Sequence, residues 1–356
     1  MTKPTELNMA EITRLMRAGQ LSEATQMIQT RLGGAPVDLA SAAPLRGMSG
    51  KGLPSGLGLP LGLGMSRDAG EPAAAALGSW SWREHQAAGQ SRQYRLYVPA
   101  SLVEGETPAG ILLLLHGCTQ DPDDFARGTR IHDAAERHRM VIIAPAQPAQ
   151  SNMNRCWNWF EPRHTAAEGG EAAFLTDLTR AIGHEFAVPP DLRFAAGLSA
   201  GGAMAVILGA VFPDDFGAVA CHSGLPNGAA RDMGSAFAAM SGGGSDRGKG
   251  AGCRLFVLHG AADRTVSPQN AQAVVAQALR AQPGLTRSAA AARLDDHNVQ
   301  VARFRDKNEV LRIESWTVEG LGHAWSGGAP QGSHTAAGPS ATTAMMRFFL
   351  TPARKR

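Results

Sequence analysis

The run Gly197-Leu198-Ser199-Ala200-Gly201-Gly202 has the spacing G-x-S-x-G, in which a serine on a tight turn can attack a carbonyl carbon. The flanking glycines let the backbone bend without a Cβ clash. The apolar run RFAAG leads in and the helix-compatible GGAMAVILGAVF follows, which is the strand, turn and helix that such a serine requires. With 42 glycines in 356 residues the short pattern is weak by itself, and its context carries it. A serine hydroxyl is a poor nucleophile until an imidazole accepts its proton, and that imidazole must be oriented by a carboxylate.

Both partners are expected downstream, in the order serine, acid, histidine. Asp263 directly follows the apolar run RLFVLHG and precedes a helical pattern, which is the loop position an acid needs. Asp295, Asp296 and Glu319 compete with it, but the first two fall in a polar stretch and Glu319 still belongs to a strand pattern. His323 lies in EGLGHAWSGG, a glycine-flanked loop just past the run LRIESWTVE, where a base can hang above the serine. His297 and His334 read as surface histidines and His259, at the end of an apolar run, as a hydrogen-bonded core residue.

The negative oxygen of a tetrahedral intermediate needs preorganised donors, commonly two backbone amides. Ala200 offers one, directly after the nucleophile. Cys118, in the turn His116-Gly117-Cys118-Thr119-Gln120 after the run ILLLLH, offers the other. The Cys118 side chain has a second reading, as a packing thiol or a disulfide partner of Cys156, and either leaves its amide usable. Trp157 and Trp159, in Arg155-Cys156-Trp157-Asn158-Trp159-Phe160, and Trp325, two residues after His323, are candidate substrate-binding residues, since aromatic faces suit a hydrophobic ester or a sugar. Packing is the competing reading for all three.

The elements that must position these groups alternate in type. Apolar runs at 94–98, 111–116, 140–145, 193–197, 217–221, 254–260 and 310–319 are separated by helical patterns near 128–138, 170–186, 200–212, 268–281 and 340–350. This predicts an α/β domain over 79–351, with a mostly parallel sheet covered by helices on both faces. Segments 227–252 and 282–300, rich in Gly and Ser or in Ala, read as surface insertions. Ahead of the domain, 1–32 carries an amphipathic helical pattern and 33–78 reads as a Gly/Pro/Leu-rich linker.

Composition narrows the function classes. Hydrophobic residues at 44% and charged residues at 18% predict a packed core rather than disorder. A net charge of +3, without a basic stripe interleaved with aromatics, disfavours a nucleic-acid partner. Four cysteines (Cys118, Cys156, Cys221, Cys253) without a CxxC pair suggest neither a disulfide scaffold nor a zinc site. No apolar run is long enough for a membrane span, and the N-terminus lacks the form of a secretory signal, so a cytoplasmic location is expected.

Taken together, LLLHGCTQDPDDFARGT, PAQPAQSNMNRCWNWF, GLSAGGAMA, CHSGLP, HGAADRTVSPQNA and GLGHAWSGG make the chain resemble the poly(3-hydroxybutyrate) depolymerase family of esterases, over roughly 79–350. The resemblance implies an α/β-hydrolase fold and a triad of Ser199, Asp263 and His323. It also implies an oxyanion hole that includes Cys118, and hydrolysis of hydroxyacid polyester or oligomer bonds with no cofactor or metal. Secreted members carry a signal peptide and often a polymer-binding domain; without either here, the implied type is intracellular, acting on amorphous storage granules or soluble oligomers. Feruloyl and acetylxylan esterases share the architecture and are the alternative substrate class. The storage-granule surface is a further candidate partner, reached through the apolar helical face and leucine-rich linker of residues 1–65.

Overall fold

Five of the apolar runs have no polar alternation, so neither of their faces can meet water, and each forms a fully buried strand. They are β3 (Gly110–Leu115), β4 (Met140–Pro145), β5 (Arg193–Leu198), β6 (Ala218–His222) and β7 (Arg254–Gly260). In the computed structural model, which describes residues 78–102, 105–245 and 247–351, they join β1 (Ser79–Ala87), β2 (Gln90–Val98), β8 (Thr286–Leu294), β9 (His297–Arg305) and β10 (Leu311–Val318) in one sheet. The strand order is β1-β2-β4-β3-β5-β6-β7-β10-β9-β8. From β4 to β10 all neighbours are parallel, and antiparallel strands close both ends.

Alternate side chains of each central strand point to opposite faces, so one run feeds two cores. Ile111, Leu113 and Leu115 pack with α3 (Gly170–Glu185), α4 (Ala200–Val211), α5 (Met233–Gly242) and α6 (Gln269–Ala281). Leu112 and Leu114 pack on the other face with α1 (Pro122–Thr129), α2 (Ile131–His138) and α7 (Ala341–Leu350). This layering and strand order are those of an α/β-hydrolase, as expected.

The structure departs from the expected elements in four places. The single helix expected near 128–138 is two, because Arg130 takes a left-handed conformation (φ 53°) between them. The first begins earlier, at Pro122, where Asp121 accepts the Asp124 amide at 2.9 Å and the proline occupies the first turn. The stretch 282–300, expected as a surface insertion, lies at the surface but is ordered: it makes most of the β8–β9 hairpin, turned at Asp295 and Asp296 with φ of 44° and 62°. Asp tolerates positive φ, so this pair does the work that Asn-Gly does in commoner hairpin turns. The stretch 227–252 contains α5, capped by Asp232. Strand β1, half polar and largely exposed, gave no clear pattern in the sequence. The segments expected over 1–32 and 33–78 lie outside the described residues, apart from Gly78.

One consequence of the parallel order governs function. Strands β3, β5, β7 and β10 all end at the same edge of the sheet, so the loops that follow them converge. These loops carry His116–Thr119, Ser199, Asp263 and His323.

Candidate active site

Ser199 sits between β5 and α4 with φ 57° and ψ −119°, a conformation that a residue with a Cβ adopts only at a cost of about 1–3 kcal/mol. The sharp turn therefore falls on the serine itself. Gly197 and Gly201 are needed for close approach instead. A Cβ on Gly201 would lie 2.1 Å from the Leu115 carbonyl oxygen, and one on Gly197 would lie 2.4 Å from the Gly201 carbonyl carbon. The Ser199 amide donates to the His222 carbonyl at 2.9 Å, which ties the turn to the end of β6.

Asp263 is buried. Its Oδ1 accepts the amides of Thr265 and Val266, both at 2.9 Å, which fixes the carboxylate plane. Its Oδ2 accepts from His323 Nδ1 at 2.7 Å, and His259 Nε2 lies 3.3 Å from the same oxygen. Burial alone would push the carboxyl up, but the donors from His259 and His323 outweigh it and hold the group well below the usual carboxylate range. With Nδ1–H given to Asp263, the free nitrogen of His323 is Nε2, the one a general base uses. His323 is only partly buried, as access to a substrate requires.

The turn after β3 presents three successive amides. Gly117 N–H donates to Gln120 Oε1 at 3.0 Å and Thr119 N–H to the Asn154 carbonyl at 2.7 Å. Cys118 N–H has no partner among the described residues, which leaves it available as an oxyanion donor. Ala200, at the first position of α4, has an amide with no carbonyl to bond within the helix. Cys118 and Cys156 are joined in a disulfide, so of the two readings of that thiol the bridged one is found.

Trp157, Trp159 and Trp325 do not offer the open aromatic faces expected of substrate-binding residues, for all three are buried. Trp157 donates from Nε1 to the His116 carbonyl at 3.1 Å, under the Arg92 guanidinium. Trp159 packs edge-on against Phe160. Trp325 stacks on His222 with 5.0 Å between ring centroids and donates to Thr342 Oγ1 at 3.1 Å. Their large apolar rings pack into the core behind the site, a use that local sequence does not separate from an exposed one.

Two histidines outside the expected triad, His222 and His259, support the site. His222 Nε2 accepts the Ser326 amide at 3.1 Å, so Nδ1 carries the proton and donates to Ser223 Oγ. Burial, aided by the nearby His259 and His323, keeps this ring neutral, well below the ordinary histidine range. It thereby pins the strap just past His323. His259 lies in the core as expected, with Nε2 also 2.9 Å from the Val266 carbonyl. His334 is exposed, as expected, yet its Nε2 stands 3.4 Å from Thr119 Oγ1, beside the Cys118 amide. A run such as CHSG offers no periodic or spacing signal for such a role.

The family model for esterase PHB depolymerase matches residues 92–302, more than half of the chain, a span that includes Ser199 and Asp263 and ends before His323. The chain is 28% identical over 284 residues to a poly(3-hydroxybutyrate) depolymerase of Ralstonia pickettii, covering 72% of this chain and 57% of that protein. It is 28% identical over 234 residues to poly(3-hydroxyalkanoate) depolymerase C of Paucimonas lemoignei, covering 60% and 55%. The chain thus spans a little over half the length of these curated relatives. Among solved structures, an acetyl xylan esterase from Aspergillus awamori superposes with a TM-score of 0.57 at 16% identity, covering 76% of this chain and 98% of that one, a likeness of fold.

Proposed function

Because this chain belongs to the esterase PHB depolymerase family, we propose that it is a serine carboxylic ester hydrolase that cleaves hydroxyacid polyester or oligomer bonds through an acyl-enzyme. Ser199 Oγ attacks the ester carbonyl while His323 Nε2 takes its proton, and Asp263 holds the imidazole and stabilises its positive charge. The Cys118 and Ala200 amides receive the developing oxyanion. His323 then protonates the departing alcohol, the alkoxide side of the substrate, and the acyl group stays on Ser199. Water, deprotonated by the same imidazole, releases the hydroxyacid and restores the serine. The observation that carries this reading is the 2.7 Å bond between Asp263 and His323, which follow strands two and three places along the sheet from the strand that leads into Ser199.

The polyester substrate rests on the two depolymerase relatives, and the alternative carbohydrate ester class is separated from it by one comparison. Rates are measured on p-nitrophenyl butyrate, on linear 3-hydroxybutyrate oligomers, and on feruloylated and acetylated xylo-oligosaccharides. Faster turnover of the hydroxybutyrate oligomers than of either sugar ester is expected; the reverse order overturns the polyester assignment.

The Cys118–Cys156 bridge bears on the compartment. Structural disulfides persist where the surroundings are oxidising, so the bridge pulls against the cytoplasmic location expected from the sequence, and with it against a granule partner inside the cell. Granule binding through residues 1–65 is tested by co-sedimentation of the whole chain, with and without residues 1–70, with native granules; unchanged partitioning removes that role.

A further inference from the structure

The loop that carries the Cys118 amide is held on one side by Gln120, whose Nε2 donates to Asp124 Oδ2 and to Ser333, and on the other by the segment 147–158, which is in turn held by a buried carboxylate outside the triad. Gln147 N–H donates to His116 Nε2 at 3.2 Å, and Trp157 Nε1 donates to the His116 carbonyl at 3.1 Å. The Asn154 carbonyl takes the Thr119 amide, and Cys156 is bonded to Cys118 itself. Burial lowers His116 to about 4, so its ring is neutral and Nε2 is a standing acceptor at neutral pH.

Glu171, near the start of α3, is fully buried and gathers the other side of this segment. Its Oε1 accepts from Gln147 Nε2 at 2.6 Å, Asn158 Nδ2 at 2.8 Å and Arg92 Nη2 at 3.2 Å, and its Oε2 accepts the Asn158 amide at 2.7 Å. Gln147 Nε2 also donates to the Cys156 carbonyl at 2.8 Å, and Arg92 donates to Gln147 Oε1. The carboxylate thus grips both ends of the segment, at Gln147 and at Asn158. It requires four donors at once, which no neutral side chain of similar size can accept.

We infer that Glu171 is a positioning residue for the oxyanion donor: through Gln147 and Asn158 it sets where the Cys118 amide stands relative to Ser199. The inference rests on the esterase reading above. Donors stabilise an oxyanion only when held in place before the charge develops, so loosening this grip weakens binding of the tetrahedral species more than binding of the ester.

The test compares the whole wild-type chain with Glu171→Gln in two measurements: p-nitrophenyl butyrate kinetics, and inhibition by n-butylboronic acid, which forms a tetrahedral anionic adduct with a nucleophilic serine. Glu171→Gln is expected to lower kcat and weaken boronate inhibition together by about tenfold, with KM changed by less than about twofold. Should that variant fail to fold, Asn158→Ala keeps the carboxylate and removes one donor, with the same pattern expected at a factor of about three. A fall in Tm with kcat and boronate affinity unchanged would mark Glu171 as purely structural and overturn the inference while the esterase reading stands. Absence of ester hydrolysis by the wild type overturns both.

Discussion

One oxygen of Asp263 faces two imidazoles, with His323 Nδ1 at 2.7 Å and His259 Nε2 at 3.3 Å, while its other oxygen takes two backbone amides. The carboxylate is therefore ionised and oriented before any substrate arrives, and His323 inherits that orientation. The cost of burying this charge is offset by donors on every side rather than by solvent.

This arrangement links activity to acid stability. The folded-state pKa of Asp263 is depressed below its unfolded value of about 3.9, so its contribution to stability is complete above that value and is lost as pH falls through the lower, folded one. Asp263→Asn lacks the linkage, so the stability difference between wild type and variant is expected to shrink as pH falls from 5 to 3. Denaturant midpoints for both proteins across that range check it. At pH 7 the same variant is expected to lose about 10⁴ in kcat.

His259→Ala removes the second donor and leaves the His323 bond. A loss of about 1–3 kcal/mol in stability is expected, with the acid limb of the stability profile moved to higher pH, because Asp263 is less well compensated. An unchanged acid limb, followed by urea unfolding at several pH values, would show that the 3.3 Å contact does not stabilise the charge.

Ser199 allows activity and strain to be read separately. Both Ser199→Ala and Ser199→Gly are expected to abolish hydrolysis of p-nitrophenyl butyrate, with kcat down by at least about 10⁴. Only glycine relieves the φ of 57°, so Ser199→Gly is expected to melt above Ser199→Ala by about 2 °C or more. Calorimetry of the two variants decides it; an alanine variant as stable as the glycine one would remove the strain.

Closing a loop with a sequence separation of 38, the Cys118–Cys156 bridge is expected to contribute about 2–4 kcal/mol. The paired variant Cys118→Ala with Cys156→Ala should show that loss in denaturant unfolding, along with a lower kcat, since the Cys118 amide sits on the released loop. Full activity with reduced stability would confine the bridge to a structural task.

Trp157→Phe deletes the Nε1 donor to the His116 carbonyl and removes part of a fully buried indole, leaving a cavity. A stability loss of about 2–4 kcal/mol is expected from the lost donor and the cavity together, with KM for short esters unchanged, because the side chain does not reach the surface. A several-fold rise in KM would return this tryptophan to the substrate.

Much of the site was written in short stretches of sequence, because the features concerned are local. The elbow at Ser199, the buried strands that lead to Asp263 and His323, and the helix after each turn depend on runs of about ten residues, whose periodicity sets backbone geometry directly. The β8–β9 hairpin is not legible in the sequence because its turn is Asp-Asp and its first strand is largely exposed alanine, which leaves no apolar alternation to read. Tertiary structure alone decided which strands became neighbours, and above all that β10 lies beside β7 across that hairpin, bringing His323 to Asp263. It likewise buried Trp157, Trp159 and Trp325, joined Cys118 to Cys156 and gathered four donors on Glu171. The reason is physical: what a side chain touches depends on segments far away in the chain, and a residue's type limits its possible partners without selecting among them.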